Sequence, residues 1–319
     1  MHRIPVGVLG ASGYAGRELC AIIARHPRLD LAFATANERR GERARLGGAD
    51  VRFIAHDDAP LGTAELIFSA LPHGASAMWV ERARGVGSRA VDLSADLRPG
   101  NGAAAAPYGL TELTRGQLRD ANVVANPGCY PTAILMALVP LAKRGLIVPG
   151  STVNATAASG VTGAGLTART DLLFGEVTED FKAYGVGNTH RHLAEMRSVL
   201  DANGANADLV FTPHLLPVAR GILATITVPL TQPLDDPLSP WREEFDGEPF
   251  VEIDPQPPAL RDVVRRNVVR ISAHHAAGVR QPTLIVLSAI DNLVKGAAGQ
   301  AVQNANVVLG LDEPLGLPA

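Results

Sequence analysis

Cys129 stands in "NPGCYPTAIL" (126–135), behind a proline–glycine turn and ahead of an apolar run. Pro131 suits the first turn of a helix, because the N–H it lacks would be unpaired there anyway. The pattern predicts a helix from about Thr132 to Lys143, with Cys129 at its N-terminus. The dipole and unpaired N–H groups of such an end stabilise a thiolate, the form that attacks a carbonyl carbon. Cysteine is also a common small core hydrophobe, and position alone leaves both readings open. Cys20, the other cysteine, lies mid-helix among Leu19, Ile22 and Ile23 and reads as core.

A cysteine nucleophile needs a proton carrier. Among nine histidines, His190 and His192 in "YGVGNTHRHLAEM" follow two glycines and lie in a loop or at a helix start. The His-Arg-His order offers a proton carrier beside the fixed charge of Arg191, suited to an anionic substrate. Donors for a developing oxyanion would be backbone N–H groups at the helix start or the Asn126 side chain. Arg98 and Arg220 are further candidates for a substrate phosphate or carboxylate. His214, His274 and His275 read as strand or surface hydrogen-bonding groups. Neither a cysteine cluster nor HExxH spacing supports a metal site, so none is expected.

"VGVLGASGYAGREL" (6–19) supplies a second chemistry. Gly10, Gly13 and Gly16 form a GxxGxxG array between a strand and a helix, with Ser12, Tyr14 and Ala15 in the same turn. Glycines there allow a tight turn and close approach of backbone to a pyrophosphate, which the helix N-terminus attracts. A plain tight turn is the alternative; strand before and helix after favour a dinucleotide. The next strand ends "ATANERRGERAR", with Asn37 near its tip and Arg39, Arg40, Arg43 and Arg45 just after. Glu38 interrupts the series, but the arginines outnumber it and suit the 2′-phosphate of NADP. A solvated basic turn is the other reading of this stretch.

These groups need elements to position them. Through residue 125, short apolar runs alternate with helical patterns, as in parallel α/β units. Strands are expected at Pro5–Leu9, Leu29–Thr35, Leu66–Ala70, Ala90–Asp92 and Val123–Ala125, with helices over "GRELCAIIARHP" and "GASAMWVERARGVG". From about residue 150, runs such as "STVNATAAS", "DLVFTPH", "ILATITVPL", "VRISAH" and "TLIVLSAI" predict a larger mixed or antiparallel sheet. "KGAAGQAVQNANVVLG" (295–310) reads as a helix with Ala298, Ala301, Val302, Ala305 and Val308 on one side, ended by Gly310.

The 319 residues suffice for two domains, and 46% hydrophobic content provides core for both. A net charge of −3 without a long basic run argues against nucleic acid. Two cysteines argue against a disulfide framework. No secretory leader is evident at "MHRIPVGVLGASG", and "AILMALVPLA" is too short to span a bilayer, so a cytoplasmic protein without membrane contact is expected. Tyr-x-x-x-Lys, which a short-chain dehydrogenase would need, is absent: the fourth residues after the tyrosines are Glu18, Glu112, Ile134 and Asn188.

Together, "GASGYAG", "LPHG" (71–74), "DLSADLR" (92–98), "YGLTEL" (108–113), "NPGCYPT" (126–132), "ASGVTGAG" (158–165), "THRHLAEM" (189–196), "TPHLLPVARGILATI" (212–226) and "DNLVKGAAGQAVQN" (291–304) run nearly end to end. This set resembles the longer type of the N-acetyl-γ-glutamyl-phosphate reductase family, related in fold to aspartate-semialdehyde and glyceraldehyde-3-phosphate dehydrogenases. Thr111 stands where that family commonly has proline, and Leu193-Ala194 where it commonly has Thr-Pro. The resemblance implies an NADP-binding Rossmann domain over 1–128, completed by a C-terminal helix in 292–319. An α+β catalytic and oligomerisation domain would span 129–291. It further implies NADPH-dependent reduction of a small acyl phosphate to an aldehyde in arginine biosynthesis, by a homodimer or homotetramer. Cys129 would be the nucleophile, with His190 and His192 in the active site and His192 preferred as proton carrier. Leu71, Pro72, Ser159, Gly160 and Asn292 would lie near the cofactor. A lysine-pathway relative acting on a carrier-linked aminoadipyl phosphate would share this chemistry. A non-catalytic NADP-binding regulator would need neither the cysteine nor the His-Arg-His loop.

Overall fold

The computed structural model describes residues 3–101 and 106–319. The chain divides into two compact units, Met1–Gly128 with Ala297–Ala319, and Cys129–Gly296.

The first unit opens with strand β1 (Ile4–Leu9), helix α1 (Tyr14–Arg25) and strand β2 (Leu29–Thr35). α1 forms because Leu19, Cys20, Ile22 and Ile23 recur on one face, and that face is buried in the core shared with β1 and β2. Next come β3 (Arg43–Leu46), β4 (Ala49–Ile54) and β5 (Leu66–Ser69), then α2 (Ser76–Gly85). β6 (Arg89–Asp92), α3 (Thr111–Leu118) and β7 (Val123–Ala125) complete this segment. The sheet order is β3-β4-β2-β1-β5-β6-β7. All its pairings are parallel except β3 with β4. β5 is buried at every position, as a parallel strand covered on both faces must be. β1 lies at the centre, with the chain leaving it first to one side and later to the other. Ligands of doubly wound sheets sit at the carboxyl ends of strands beside such a switch point.

The β3–β4 hairpin corrects one expectation. Arg43 and Arg45 belong to a strand, and the turn is Gly47-Gly48, with φ of +59° and +95°. Two consecutive positive φ values make the tight turn whose twist matches a hairpin. The glycine pair was the available signal; the arginines obscured it.

The second unit begins with α4 (Cys129–Lys143), three residues earlier than the periodicity suggested, and every residue from Tyr130 to Ala142 is buried. β8 (Thr152–Gly160), α5 (Phe174–Val177), β9 (Lys182–Ala183), α6 (His192–Ala202), β10 (Asp208–Leu216) and β11 (Ile222–Pro229) follow. Then come α7 (Ser239–Glu244), β12 (Val251–Ile253), β13 (Val269–His275) and β14 (Thr283–Ile290). They form a mixed sheet of order β12-β13-β14-β11-β8-β10-β9. β8 alternates exposed and buried residues, so one face of this sheet takes the apolar side chains. α4 packs on β11, β13 and β14 and against α6 and α7.

A π-helical turn (Val294–Ala298) leads into the last helix, α8 (Gly299–Val308), which belongs to the first unit and packs on α1, α3 and β6. The expected apolar side is present, yet Gln300, Gln303, Asn304 and Asn306 are buried as well. Each finds partners inside the unit. Gln300 Nε2 donates to Thr111 Oγ1, and Gln303 Nε2 donates to Glu112 and Glu313. Asn304 Nδ2 donates to the Gly109 carbonyl and to Asn126 Oδ1, both at 2.9 Å, while its Oδ1 accepts from Thr111 Oγ1 at 2.7 Å. Among the described residues, no helix is long and apolar enough to cross a membrane.

Replacing Asn304 by Ala removes three hydrogen bonds and leaves buried groups at Gly109, Thr111 and Asn126 without this partner. Chemical denaturation should show a loss of about 2–4 kcal/mol, the usual cost of stranding buried polar groups. A loss within experimental error would mean that the network contributes nothing to stability.

Candidate active site

In the first unit, the glycine turn is shaped by contacts that exclude larger residues. Gly10 has φ +76°, and a Cβ there would lie 2.5 Å from the Ala70 carbonyl oxygen. A Cβ on Gly16 would lie 2.3 Å from the Gly10 oxygen. Gly13, the N-cap of α1, meets nothing closer than 3.7 Å, so its missing side chain leaves open approach to the helix end. No side chain caps that end, and Ser12, Gly13, Tyr14 and Ala15 are all partly open. An uncapped helix N-terminus behind a glycine turn fits the pyrophosphate of a dinucleotide.

At the tip of β2 the candidates separate. Arg39 pairs with Glu42 at 2.6 Å and lies over the Phe53 ring, so its charge is already engaged. Arg40 is exposed. Asn37 Oδ1 accepts the His56 backbone N–H at 2.8 Å. Leu71 is buried and Pro72 exposed in the loop after β5. That loop is braced by Asp96, whose carboxylate accepts N–H groups of Gly74, Ser76 and Ala77 at the start of α2. Burial would raise the Asp96 pKa, but the three backbone N–H groups outweigh it and hold the carboxyl below its usual range.

Asn126 and Arg98 have structural work in this unit. The Asn126 amide nitrogen donates to the Pro127 and Ala297 carbonyls, and its oxygen accepts from Asn304. Arg98, buried, donates from Nε to the Asn126 carbonyl at 2.7 Å and from Nη2 to Leu93 at 2.6 Å. Both are candidates for substrate contact, and these bonds tie them to the turn preceding Cys129.

In the second unit, Cys129 is half-buried as the first residue of α4. Gly296 backs directly onto it, since a Cβ there would lie 2.8 Å from the Cys129 Cβ. Its N–H donates to the Asp291 carbonyl, inside the π-helical turn. Sequence reasoning read this stretch as plain helix and missed Gly296; the "KGAAG" glycines were the only hint.

The histidine loop is pinned by Asn188, at φ +62°. Its side chain donates to the Leu209 carbonyl and accepts the Phe211 N–H, which ties the loop to β10. The rings of His190 and His192 stand 4.9 Å apart, edge to face. Tyr130, beside Cys129 in the chain, contacts both at 5.5 and 6.2 Å. Its hydroxyl pairs with Tyr184 at 2.9 Å. Burial raises the pKa of both phenols, that of Tyr184 to about 12, and the charge of Cys129 adds to the shift in each. Cys129 therefore sits close to this pair. His192 opens α6, and Arg191 just before it is exposed. His190 Nδ1 accepts the His192 backbone N–H at 3.2 Å, so the neutral ring carries its proton on Nε2. Burial, then the neighbouring Arg191 charge, lowers its pKa to about 4.

Ser159 and Gly160 end β8, and Ser159 lies near enough to Tyr130 to influence its ionisation. Asn292, expected beside a cofactor, is buried and holds two loops: its oxygen accepts the Gly221 N–H at 2.8 Å and its amide donates to Thr162 at 2.9 Å. Arg220 lies 3.6 Å from the buried Asp291 carboxylate. The unit thus gathers Cys129, Tyr130, Ser159, Tyr184, His190 and His192 in one polar and aromatic cluster.

Residues 5–121 match the family described as semialdehyde dehydrogenase, NAD binding domain, and residues 129–292 match semialdehyde dehydrogenase, dimerisation domain. The N-acetyl-gamma-glutamyl-phosphate reductases of Halorhodospira halophila and Laribacter hongkongensis are 40% and 41% identical, with 98% of each chain covered in both comparisons. The chain belongs to the N-acetyl-γ-glutamyl-phosphate reductase family. Solved structures agree on the fold. A probable aspartate-semialdehyde dehydrogenase from Pseudomonas aeruginosa has a TM-score of 0.78 at 22% identity, covering 97% of this chain and 99% of that one. Aspartate semialdehyde dehydrogenase with NADP from Candida albicans has a TM-score of 0.65 at 14% identity, covering 96% and 98%. The fold class is thus an α/β Rossmann unit joined to an α+β unit, as family membership requires.

Because the folded pKa of His190 lies below the ordinary 6.5, the unfolded chain binds this proton first on acidification. Its contribution to stability is lost as pH falls from 6.5 towards about 4. Ring-proton NMR should show His190 neutral at pH 6 with a midpoint near about 4; a midpoint at or above 6 would contradict its burial.

Proposed function

We propose that this chain reduces N-acetyl-γ-glutamyl phosphate to N-acetylglutamate semialdehyde with NADPH, releasing phosphate, as a step of arginine biosynthesis, and that Cys129 carries the acyl group. The observation that carries this reading is Cys129 at the first position of α4, beside Tyr130 and Tyr184. Those tyrosines in turn contact His190.

The Cys129 thiolate attacks the acyl carbon; the C–O bond to phosphate breaks, phosphate leaves, and a thioester remains. NADPH, when bound, supplies the hydride that reduces the thioester. Neutral His190, with its proton on Nε2, donates a hydrogen bond to the developing oxyanion. His192 protonates that oxyanion to the thiohemiacetal hydroxyl and takes the same proton back as the C–S bond breaks, which frees the aldehyde and restores the thiolate. This division follows from the His190 pKa: a ring titrating near about 4 is a poor proton carrier at neutral pH and a good neutral donor. Arg191, exposed beside the histidines, and Arg220 bind the substrate's anionic ends. Asn126 and Arg98 position the nucleophile's turn.

On the cofactor side, the reading assigns Gly10, Gly13 and Gly16 to the pyrophosphate, with Ser12, Tyr14 and Ala15 around it. Arg40, whose charge is less engaged than that of Arg39, goes to the 2′-phosphate. The match of 129–292 to a dimerisation domain supports a homodimer or homotetramer. The reading takes the enzyme to be cytoplasmic.

The reverse reaction tests the reading: N-acetylglutamate semialdehyde, phosphate and NADP⁺ should yield NADPH only when phosphate is present. Cys129→Ser should lower turnover at least about 10³-fold while NADPH still binds. Full activity in that variant would remove the thioester. Turnover restricted to an aminoadipate analogue would move the substrate to the lysine series.

A further inference from the structure

β4 runs parallel to β2, with Ala34 opposite Phe53 and Thr35 opposite Ile54. The two strands therefore end together, and the residues after them, Asn37 and His56, lie side by side. That edge, beyond the strand following a glycine turn, is where a dinucleotide fold meets the adenosine ribose.

His56 is built into this edge from three directions. Its backbone N–H donates to Asn37 Oδ1. Its ring meets Trp79 edge-on at 5.8 Å. Its Nδ1 forms a hydrogen bond with Thr35 Oγ1. Thr35 is fully buried, and the same oxygen accepts the Gly10 N–H at 3.3 Å. Among the described residues, Nδ1 is the acceptor available to the Thr35 hydroxyl proton. The relay therefore runs from Gly10 N–H to Thr35 Oγ1, and from Thr35 O–H to His56 Nδ1. It leaves the His56 proton on Nε2. That nitrogen is neither hydrogen-bonded to a described residue nor sealed from solvent. Burial also lowers the His56 pKa, with Asp57 opposing, so the ring is a neutral N–H donor at physiological pH.

We propose that His56 recognises the 2′-phosphate of NADP, donating a hydrogen bond from Nε2 while Arg40 supplies the charge. The assignment rests on the cofactor reading above. It also accounts for Arg39, which lies in the same turn but is paired with Glu42. Thr35 has a separate task. By joining the glycine turn to His56, it sets the ring's tautomer and holds the Gly10 N–H in place.

Direct titration of the full chain with NADPH and with NADH, followed by nicotinamide fluorescence, separates these roles. His56→Ala should weaken NADPH about tenfold, the usual worth of one hydrogen bond to a charged group, and change NADH less than about twofold. His56→Gln, which keeps a terminal N–H, should recover most of the NADPH affinity. Thr35→Val should weaken NADH through the lost Gly10 acceptor and NADPH by more, because His56 also loses the partner that sets its tautomer. Competition by 2′,5′-ADP should follow the NADPH pattern. Equal losses for NADPH and NADH in His56→Ala would overturn the proposal in favour of a structural brace, and so would unchanged NADPH binding. The titrations contain no acyl phosphate, so they report on His56 even where the reduction reading fails.

Discussion

The turn Asn126-Pro127-Gly128 is the constraint on which the site depends. Its backbone is fixed by Arg98 at the Asn126 carbonyl and by the Asn126 N–H bonding to Asp92. The Asn126 side chain is held by Asn304 and Ala297, both from the far end of the chain. A turn with so many fixed points is a rigid end to this segment of the first unit, and Cys129 is the next residue in the chain. The buried polar groups of α8 serve this end. A purely apolar helix would pack as well, but it would not fix the orientation of an amide.

Thr111 has a place in the same network. Where the family commonly carries proline, this chain has a hydroxyl that donates to Asn304 Oδ1 and accepts from Gln300. The donor fixes which way the Asn304 amide faces, and so which atom meets Asn126. One surface-looking departure from a motif is thereby absorbed into the interior.

Much of this was legible in the sequence, for definite reasons. β2 and β7 follow the expected bounds because a proline marks the turn before β2, at Pro27, and the turn after β7, at Pro127. The glycine turn and the cysteine were readable because few residue types tolerate those positions. The α4 start was displaced because Cys129 and Tyr130 carry no apolar period, although Pro131 permits the turn that includes them. The hydrogen-bond partners of Asn126, Arg98 and Asn292 were not legible for one reason. Sequence shows a donor or acceptor but not the partner, and all three are satisfied by residues remote in the chain or by backbone. His56 escaped notice because its meaning comes from β4 pairing with β2 across a hairpin hidden among arginines.

That hairpin has a further consequence. Arg43 and Arg52 are direct partners in the β3–β4 ladder, and both are exposed. Like charges facing each other across strands cost stability. Arg43 also stands on β3, the outermost strand of the sheet, whose free backbone groups invite pairing with another molecule, and Arg52 stands beside it on β4. A charged rim makes that pairing unfavourable. The other outer strands, β7, β9 and β12, are only two or three residues long and offer little to pair with. Both sheets thus end in edges that resist growth, so the small local penalty at Arg43 and Arg52 works as protection against aggregation.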